Sequence, residues 1–350
     1  MSMILTMILV LTLVLAAMAV TTRHASGMQL FAEVQTTTSE GLSVEMKTYY
    51  DMTLIDEAEA NLVHEQFGQK RPIPANGGLK IEFRKFASLP KALTPLTEGV
   101  TPPGKSLSVS KIEATVSQYG DFVTQSDVLE MTAIDNTIVE ATKVLGRQAG
   151  MTLDTIVRNV MQSGNNVTYC HKVAADGAET PVTSRATLDN TCQLTVKVLQ
   201  QVVAKLRAQN APTINGKYVA IVHPYVAYDL MQDKDWKYPH QYAAPENIFN
   251  GEIGEIAGVR FLESSEAKIY TGGVFGTLIF GDGAYGVTEV TGGGLQTIIK
   301  QKGSAGTADP LDQRSSVGWK AMRTAEILIP QYLVRVESKS AAFSATATEN

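Results

Sequence analysis

Residues 134–161, IDNTIVEATKVLGRQAGMTLDTIVRNVM, decide the fold because they carry the strongest helical pattern in the chain. Asp135 and Glu140 near the start of this stretch, and Arg158 near its end, suit the helix macrodipole. A helix of this length extends about 40 Å at 1.5 Å per residue, which predicts a structural spine. Apolar residues recur on one face at helical spacing, namely Ile134, Ile138, Ala141, Leu145, Ala149, Ile156 and Val160.

Two glycines, Gly146 and Gly150, lie within this helical pattern. Each costs roughly 1 kcal/mol relative to alanine in a helix, so their presence predicts close packing of another segment or a bend. The run Ser163-Gly164-Asn165-Asn166 is expected to end the helix.

Upstream of the helix, two β-type segments flank a proline-rich stretch. Apolar and charged residues alternate over 79–84, which predicts a half-buried strand. A second strand is expected from Leu107 to Val116, and β-rich sequence continues to Val123. Between them, Leu89–Lys105 contains Pro90, Pro95, Pro102 and Pro103. The pattern predicts an extended hairpin with a stiff, open tip, and such a hairpin is marginal unless something covers it.

The remaining pattern is mixed. A polar stretch over 35–41 predicts an extended arm, and helices are expected over Glu45–Phe67, ended by Arg71–Pro74, and over Leu188–Gln209. No regular alternation of strands and helices is visible, so the class is α+β and a doubly wound nucleotide fold is disfavoured. Further strands are expected at Tyr218–Val222, Val259–Leu262, Thr277–Phe280, Val287–Val290, Leu295–Gln301 and, after Trp319, Ala325–Glu337.

Composition narrows the function. The chain has 44% hydrophobic and 19% charged residues, which indicates a globular protein, and its formal charge is −5 from 30 basic and 35 acidic residues. A protein that binds nucleic acid tightly through phosphates usually has a basic excess, so we expect only weak, non-specific contact. Two cysteines and five scattered histidines predict neither a disulfide framework nor a metal site. His64-Glu65 begins like a zinc-protease motif, but Gly68 stands where the second histidine would be.

Two glycine-rich motifs match nucleotide-binding patterns, and we reject both. Gly99–Ser106 fits the phosphate-loop pattern, but Pro102 and Pro103 lack the N–H groups that such a loop needs, and a strand follows it instead of a helix. Gly281–Gly286 fits the dinucleotide pattern, but the following residues also favour a strand, so a β-turn is expected. We therefore expect no cofactor and no catalysis.

The N-terminal residues 1–27 allow three interpretations. Met1 to Val20 is largely apolar, but no basic residue precedes it, as a secretory signal would require. A mis-set start, with Met28 as the true first residue, a signal peptide and a membrane anchor all stay open. If the leader is a signal peptide, the sequon at Asn166 and a Cys170–Cys192 disulfide would indicate a secreted glycoprotein or adhesin.

Several short segments resemble the major capsid proteins of tailed bacteriophages, in particular those of podovirus-like phages with a large single-chain subunit. The resemblance covers roughly Ser43 to Glu337, although relatives of this kind carry no apolar leader. The matching segments are Glu45–Asp51, Gln66–Pro74, Thr94–Pro102, Leu153–Arg158, Asp309–Arg314 and Gly318–Lys320.

The resemblance implies the Hong Kong 97-type capsid fold, with an arm, an extended loop, a peripheral domain with a spine helix, and an axial domain. The order of elements expected from the residues alone agrees with this. The implied division is a leader of doubtful status at 1–27, an arm at 28–75, the loop at 76–118, the peripheral domain at 119–186, the axial domain at 187–290, and return strands of the peripheral domain with the C-terminus at 291–350.

The resemblance also implies a function. The chain would form hexamers and pentamers of an icosahedral shell around double-stranded DNA, assembled in the host cytoplasm, with portal, scaffold and decoration proteins as further partners. We expect residues 1–27 to be absent from the particle, because an exposed apolar run suits a shell subunit poorly. Alternatives are the adhesin, a nucleotide-binding enzyme using Gly99–Ser106, and a cell-encoded compartment shell of the same fold. Intersubunit contacts are expected at Arg84, Lys85, Lys91, Glu98 and Lys105 in the hairpin, which would act as a strap between subunits.

Overall fold

A computed structural model describes residues 52–58, 62–74, 77–86, 89–96, 98–101, 104–132, 137–174, 177–237, 254–304, 306 and 309–350. The leader 1–27 and the polar stretch 35–41 lie outside the described residues, so the expectations about them stay predictions.

Helices and strands follow each other in a mixed order. The helices are 52–58 (α1), Asp127–Thr132 (α2), Thr137–Gln162 (α3), Val196–Ala208 (α4) and Pro224–Gln232 (α5), with a further helical stretch over 234–237 and short 3-10 turns at Arg185–Thr187 and Pro330–Tyr332. The strands of the first half are Gln69–Lys70 (β1), Lys80–Phe86 (β2), Val109–Thr115 (β3), Ser117–Ser126 (β4), Val167–Tyr169 (β5), Lys172–Val173 (β6) and Glu179–Thr180 (β7). Those of the second half are Tyr218–Val222 (β8), Glu255–Ile256 (β9), Val259–Glu263 (β10), Ile269–Tyr270 (β11), Val274–Phe280 (β12), Tyr285–Thr288 (β13), Gln296–Lys300 (β14), Arg314–Ile327 (β15) and Leu333–Lys339 (β16).

One sheet is built around the long strand β15. One edge of β15 pairs with β4, the other with β14 and β13, and β1 adds to β13 in parallel. Val317, Trp319 and Ala321 point from β15 toward α3 and form a buried cluster with its apolar face. Side chains alternate across a strand, so Gly318 and its neighbour Ile298 on β14 point to the opposite face.

The expected spine helix is confirmed, but its buried face differs from the expected one. Leu145 and Ala149 are buried as expected, and Leu153, Val157 and Met161 are buried beside them. The other expected positions that the structure describes are only partly buried, namely Ile138, Ala141, Ile156 and Val160.

A second sheet has the order β5-β16-β12-β8-β10-β9, with β11 beside β12. Every residue of β8 is buried, as expected for a central strand, and α4 packs its apolar face over this sheet. β16 pairs with β12 in this sheet, whereas β13 pairs with β15 in the first sheet. The domain boundaries themselves stay a prediction.

The glycines of α3 mark a close helix crossing. A Cβ on Gly146 would lie 2.8 Å from the Leu54 carbonyl oxygen, and one on Gly150 would fall against the Ala58 backbone. Leu54 and Ala58 of α1 are both fully buried at this crossing. The interpretation of these glycines as close packing is confirmed.

We expect Gly150→Ala to destabilise the protein by about 1–3 kcal/mol, because the added methyl group must push α1 away. Helix propensity alone predicts the opposite sign, a gain of roughly 1 kcal/mol. Urea unfolding of this variant beside Val144→Ala, at an exposed position of α3, separates the two effects. A stability gain at Gly150 equal to that at Val144 would contradict the crossing.

Three predicted elements need correction. The helix expected over Glu45–Phe67 does not run to Phe67, because residues 64–67 form a turn. In this turn the His64 backbone N–H donates to the Asp154 carboxylate, and the His64 carbonyl oxygen accepts from the Tyr285 hydroxyl. The helix expected from Leu188 starts at Val196, since the Thr195 side chain caps it by accepting from the Val198 N–H.

The late strand expected over Ala325–Glu337 is two strands. Pro330 starts a 3-10 turn between β15 and β16, and it has no N–H to offer a ladder. Trp319 lies within β15 and is buried against the spine helix. Sequence reasoning missed α5, which begins with Pro224 at its first position and is capped by the His223 side chain.

Candidate assembly surfaces

The extended hairpin forms as expected, and its base is anchored on its own chain. β2 and β3 pair antiparallel from Lys80 opposite Thr115 to Phe86 opposite Val109. Phe83 and Ala114 are 4% and 3% exposed and pack against Leu328 and Ile329. The β15–β16 connection of the same chain therefore covers the apolar residues at the base of the hairpin.

The tip of the hairpin, residues 89–105, is different. Leu93 and Leu96 are 82% and 77% exposed, the most exposed large apolar side chains of the described residues. The Lys105 ammonium donates to the Pro90 carbonyl oxygen at 3.3 Å and joins the two ends of the tip. The tip therefore exposes Leu93 and Leu96, and the described residues of the same chain do not cover them.

The five predicted contact residues occupy two parts of the hairpin. Arg84 is exposed and its guanidinium lies 3.9 Å from the Glu82 carboxylate. Lys91, Glu98 and Lys105 are exposed at the tip. The Lys105 ammonium donates to the carbonyl oxygen of Pro90, the residue that precedes Lys91. Lys85 lies in β2, but its side chain is outside the described residues. Their contacts with other subunits stay a prediction.

A ladder of charges covers the outer face of the hairpin beside Arg84. Lys111 on β3 lies 2.7 Å from Glu113 and 3.4 Å from Glu82. The hydrogen bond from the Lys111 ammonium lowers the pKa of the Glu113 carboxyl below the usual range of a glutamate. The ladder keeps this face of the hairpin polar, whereas Phe83 and Ala114 lie on the opposite face and the leucines are at the tip.

A second apolar surface was missed by sequence reasoning. Helix α2 buries no residue, and its Val128, Leu129 and Met131 are exposed beside the loop that carries Leu311, itself 75% exposed. The Asp127 N–H donates to the Gln313 carbonyl and a Lys302–Glu130 ion pair of 2.9 Å holds loop and helix together. The sequence shows these apolar residues, Val128, Leu129 and Met131, shortly before the spine helix, interrupted by Glu130.

A cavity of about 510 Å³ opens between α1, α3 and the β15 sheet. Its apolar lining includes Ile55, Leu153 and Leu295. Its polar wall is centred on Arg323, whose guanidinium lies 3.1 Å from Glu65 and 2.8 Å from Glu289. Burial raises the pKa of the Glu65 carboxyl, and Arg323 opposes that shift.

Behind this cavity a buried polar cluster fixes the segment 62–74 to the spine. Both oxygens of Asp154 are used by His64: its backbone N–H and its ring Nδ1 each lie 2.6 Å from one of them. The Tyr285 hydroxyl donates to the His64 carbonyl at 2.5 Å. His64 and Asp154 are fully buried, so this cluster holds the segment in place and is not exposed to a substrate.

Both glycine-rich motifs lead into a strand and not into a helix, as expected. Residues 104–108 contain no helix and lead into β3, and Lys105 binds the chain's own Pro90 carbonyl. Gly281–Gly286 connects β12 to β13 through a turn. Neither segment ends in the helix N-terminus that holds a phosphate.

We expect no heat of ATP–magnesium binding in titration calorimetry, and no change on Lys105→Ala, because the lysine lies in an extended tip. A micromolar signal that depends on Lys105 would contradict this interpretation.

The sequon asparagine Asn166 and the two cysteines, on which the secreted-glycoprotein alternative depended, have structural contacts within the subunit. The Asn166 amide nitrogen donates to the Leu333 carbonyl at 3.1 Å, and Cys170 and Cys192 are buried as free thiols. Burial also raises the pKa of the Cys170 thiol, which makes it unreactive. The residues that the structure describes include no group of three acidic, His or Cys side chains suited to a metal ion. None of their helices is long and apolar enough to cross a membrane.

Comparison with known proteins decides the family. The family model described as phage capsid protein matches residues 110–336. The chain belongs to this phage capsid protein family. No curated protein matches its sequence.

Solved capsid structures share the fold of this phage capsid protein at low sequence identity. A capsid structure of the cyanophage P-SCSP1u is 14% identical with a TM-score of 0.62 and covers 88% of this chain and 93% of its own. The capsid of Ralstonia phage GP4 is 15% identical with a TM-score of 0.59, covering 88% and 96%. The cyanophage Pam1 capsid is 12% identical with a TM-score of 0.60, covering 89% and 98%.

The fold is therefore the Hong Kong 97-type capsid fold, and the expectation drawn from the resemblance is confirmed. The chain is a structural major capsid protein of an icosahedral phage head. The comparisons support neither the adhesin nor the nucleotide-binding alternative.

Proposed function

We propose that this capsid protein forms hexamers and pentamers in which the hairpin straps each subunit to its neighbour. The observation that carries this is the contrast within one hairpin. Its base is buried on its own chain, whereas Leu93 and Leu96 at the tip are more than three-quarters exposed. A neighbouring subunit that packed on the tip would remove both leucines from water.

The charged residues of the hairpin would set the register of that contact. Arg84, Lys91 and Glu98 are exposed and would meet charges on an adjacent subunit, together with Lys85 and Lys105. Exposed charges of this kind contribute more to orientation and association rate than to affinity. We place the second apolar surface, α2 with Leu311, in a further contact between subunits.

The net charge of the subunit bears on how the shell would contact packaged DNA. A net charge of −5 suits a container that encloses double-stranded DNA without binding it tightly. We propose that the protein catalyses no reaction, assembles in the cytoplasm of a bacterial host, and meets portal, scaffold and decoration proteins in the particle.

Electron microscopy of the purified full chain tests the proposal. We expect uniform shells or ring-shaped capsomers, since the apolar tip favours association. A protein that stays monomeric at concentrations well above those of a cell would contradict it.

A further inference from the structure

We propose that the face of the β15 sheet that points away from α3 contacts the phosphate backbone of the packaged double-stranded DNA. This inference rests on the proposed shell function and adds to it which side of the subunit meets the cargo. We call this surface the polar face. Side chains alternate across each strand, so it comprises Gly120, Phe122 and Thr124 of β4, Arg314, Ser316, Gly318 and Lys320 of β15, and Gln296, Ile298 and Lys300 of β14.

Charge distinguishes the polar face from the rest of a subunit whose net charge is −5. The face carries three basic residues and no acidic one. The acidic residue of β4, Asp121, lies on the other face, where its carboxylate accepts from Gln148 of α3 at 2.6 Å. An acidic protein has therefore kept carboxylates away from this one surface.

The charges of the polar face are available to a partner. Lys300 and Lys320 form no ion pair within the described part of the chain. Arg314 lies 3.8 Å from the Asp309 carboxylate, and its side chain stays 60% exposed. Since these cations are not neutralised at short range, a polyanion that covered the face would gain from all of them.

Glycines keep the polar face low. A Cβ on Gly318 would lie 2.7 Å from the Phe122 Cβ, and one on Gly120 would lie 2.6 Å from the Trp319 carbonyl oxygen. Glycine inside a strand often marks a place where a ligand or another backbone comes close. The Phe122 side chain beside them is 67% exposed and offers an apolar contact to deoxyribose.

The side chains of the polar face match those that contact DNA backbones. Arginine, lysine, serine, threonine and glutamine donate many of the hydrogen bonds to phosphate in protein–DNA complexes, and the face has all five types. Its basic residues spread along about 20 Å of β15 at about 3.4 Å per residue. A duplex carries one phosphate charge per about 1.7 Å of its axis, so each cation can meet a different phosphate. Such contact is weak and independent of base sequence, as a container for a whole genome requires.

A DNA titration of the full chain tests the contact. Fluorescence anisotropy of a short labelled duplex should give a binding constant whose logarithm falls with the logarithm of the KCl concentration with a slope of about −3, since each phosphate contact contributes about −0.9. Lys300→Gln with Lys320→Gln should reduce the slope to about −1 and weaken binding at low salt about tenfold or more.

The matched control removes the same charge elsewhere. Lys205→Gln with Lys234→Gln changes α4 and the helical stretch that follows α5, and it should leave both the slope and the affinity unchanged. Equal losses in the two double variants, or an unmutated subunit that does not bind the duplex, would overturn the inference.

Thiol labelling locates the polar face in the shell. Phe122→Cys adds one accessible thiol to a chain whose Cys170 and Cys192 are buried. In assembled shells, N-ethylmaleimide should label this position because a small reagent enters the shell, whereas a maleimide on a large polyethylene glycol should not. The free subunit should react with both reagents.

The outcomes separate this inference from the proposed function. Labelling of shells by the polymer would place the polar face outside, and protection from both reagents would place it between subunits; either result overturns the inference and leaves the shell function standing. If Phe122→Cys does not assemble, the DNA titration decides, because it needs only the soluble subunit. An unmutated protein that never forms shells would instead overturn the function.

Discussion

Replacing residues 90–105 with a short Gly-Ser turn should abolish shell assembly while the subunit keeps its cooperative unfolding. The tip contributes exposed leucines and no buried core, whereas Phe83, Ala114 and Leu328 hold the base of the hairpin on the subunit. Light scattering would report the loss of particles, and denaturant unfolding would report a nearly unchanged midpoint.

A matched pair of variants locates the effect at the tip. Leu93→Ser with Leu96→Ser should lose assembly, while Leu79→Ser, at a 53% exposed position near the base, should retain it. Normal assembly of the shortened protein would contradict the strap, and so would a shortened subunit that no longer folds.

Glu337→Ala should lower the free energy of unfolding by about 3 kcal/mol, because it leaves two arginines without their buried partner. Glu337 is fully buried on β16, 2.6 Å from Arg185 and 3.0 Å from Arg335. Arg335 also donates to the carbonyl of Gln162 at the end of α3, so the carboxylate joins the spine helix to the second sheet.

The control for this variant is Glu140→Ala, which removes an exposed ion pair with Lys143 on the surface of α3. Exposed pairs of this kind contribute little to stability, so urea unfolding should show almost no change. Equal losses in the two variants would show that the buried network does not join the two parts.

The local elements of the fold were predictable because they leave periodic patterns. The spine helix shows apolar residues every three or four positions, and β2 and β3 alternate apolar and charged residues. The glycines of α3 indicated close packing or a bend, and the backbone of α1 crosses the helix at both of them. The exposed tip was also predictable, since its prolines exclude both a helix and a ladder.

Long-range polar contacts were not predictable. His64 and Asp154 are 90 residues apart, and nothing in either local pattern pairs them or stops the expected helix before Phe67. For the same reason the burial of Phe83 by Leu328 and Ile329 was missed, because it depends on where β15 ends against the hairpin. The cavity at Arg323 is assembled from five parts of the chain and has no sequence motif.

A reconstruction of the assembled shell by cryo-electron microscopy, at side-chain resolution, would show directly whether the hairpin is a strap. Density for residues 89–105 should leave its own subunit and end on an adjacent one, with Leu93 and Leu96 covered there. Density that folds the tip back onto its own subunit, with those leucines still facing solvent, would contradict it.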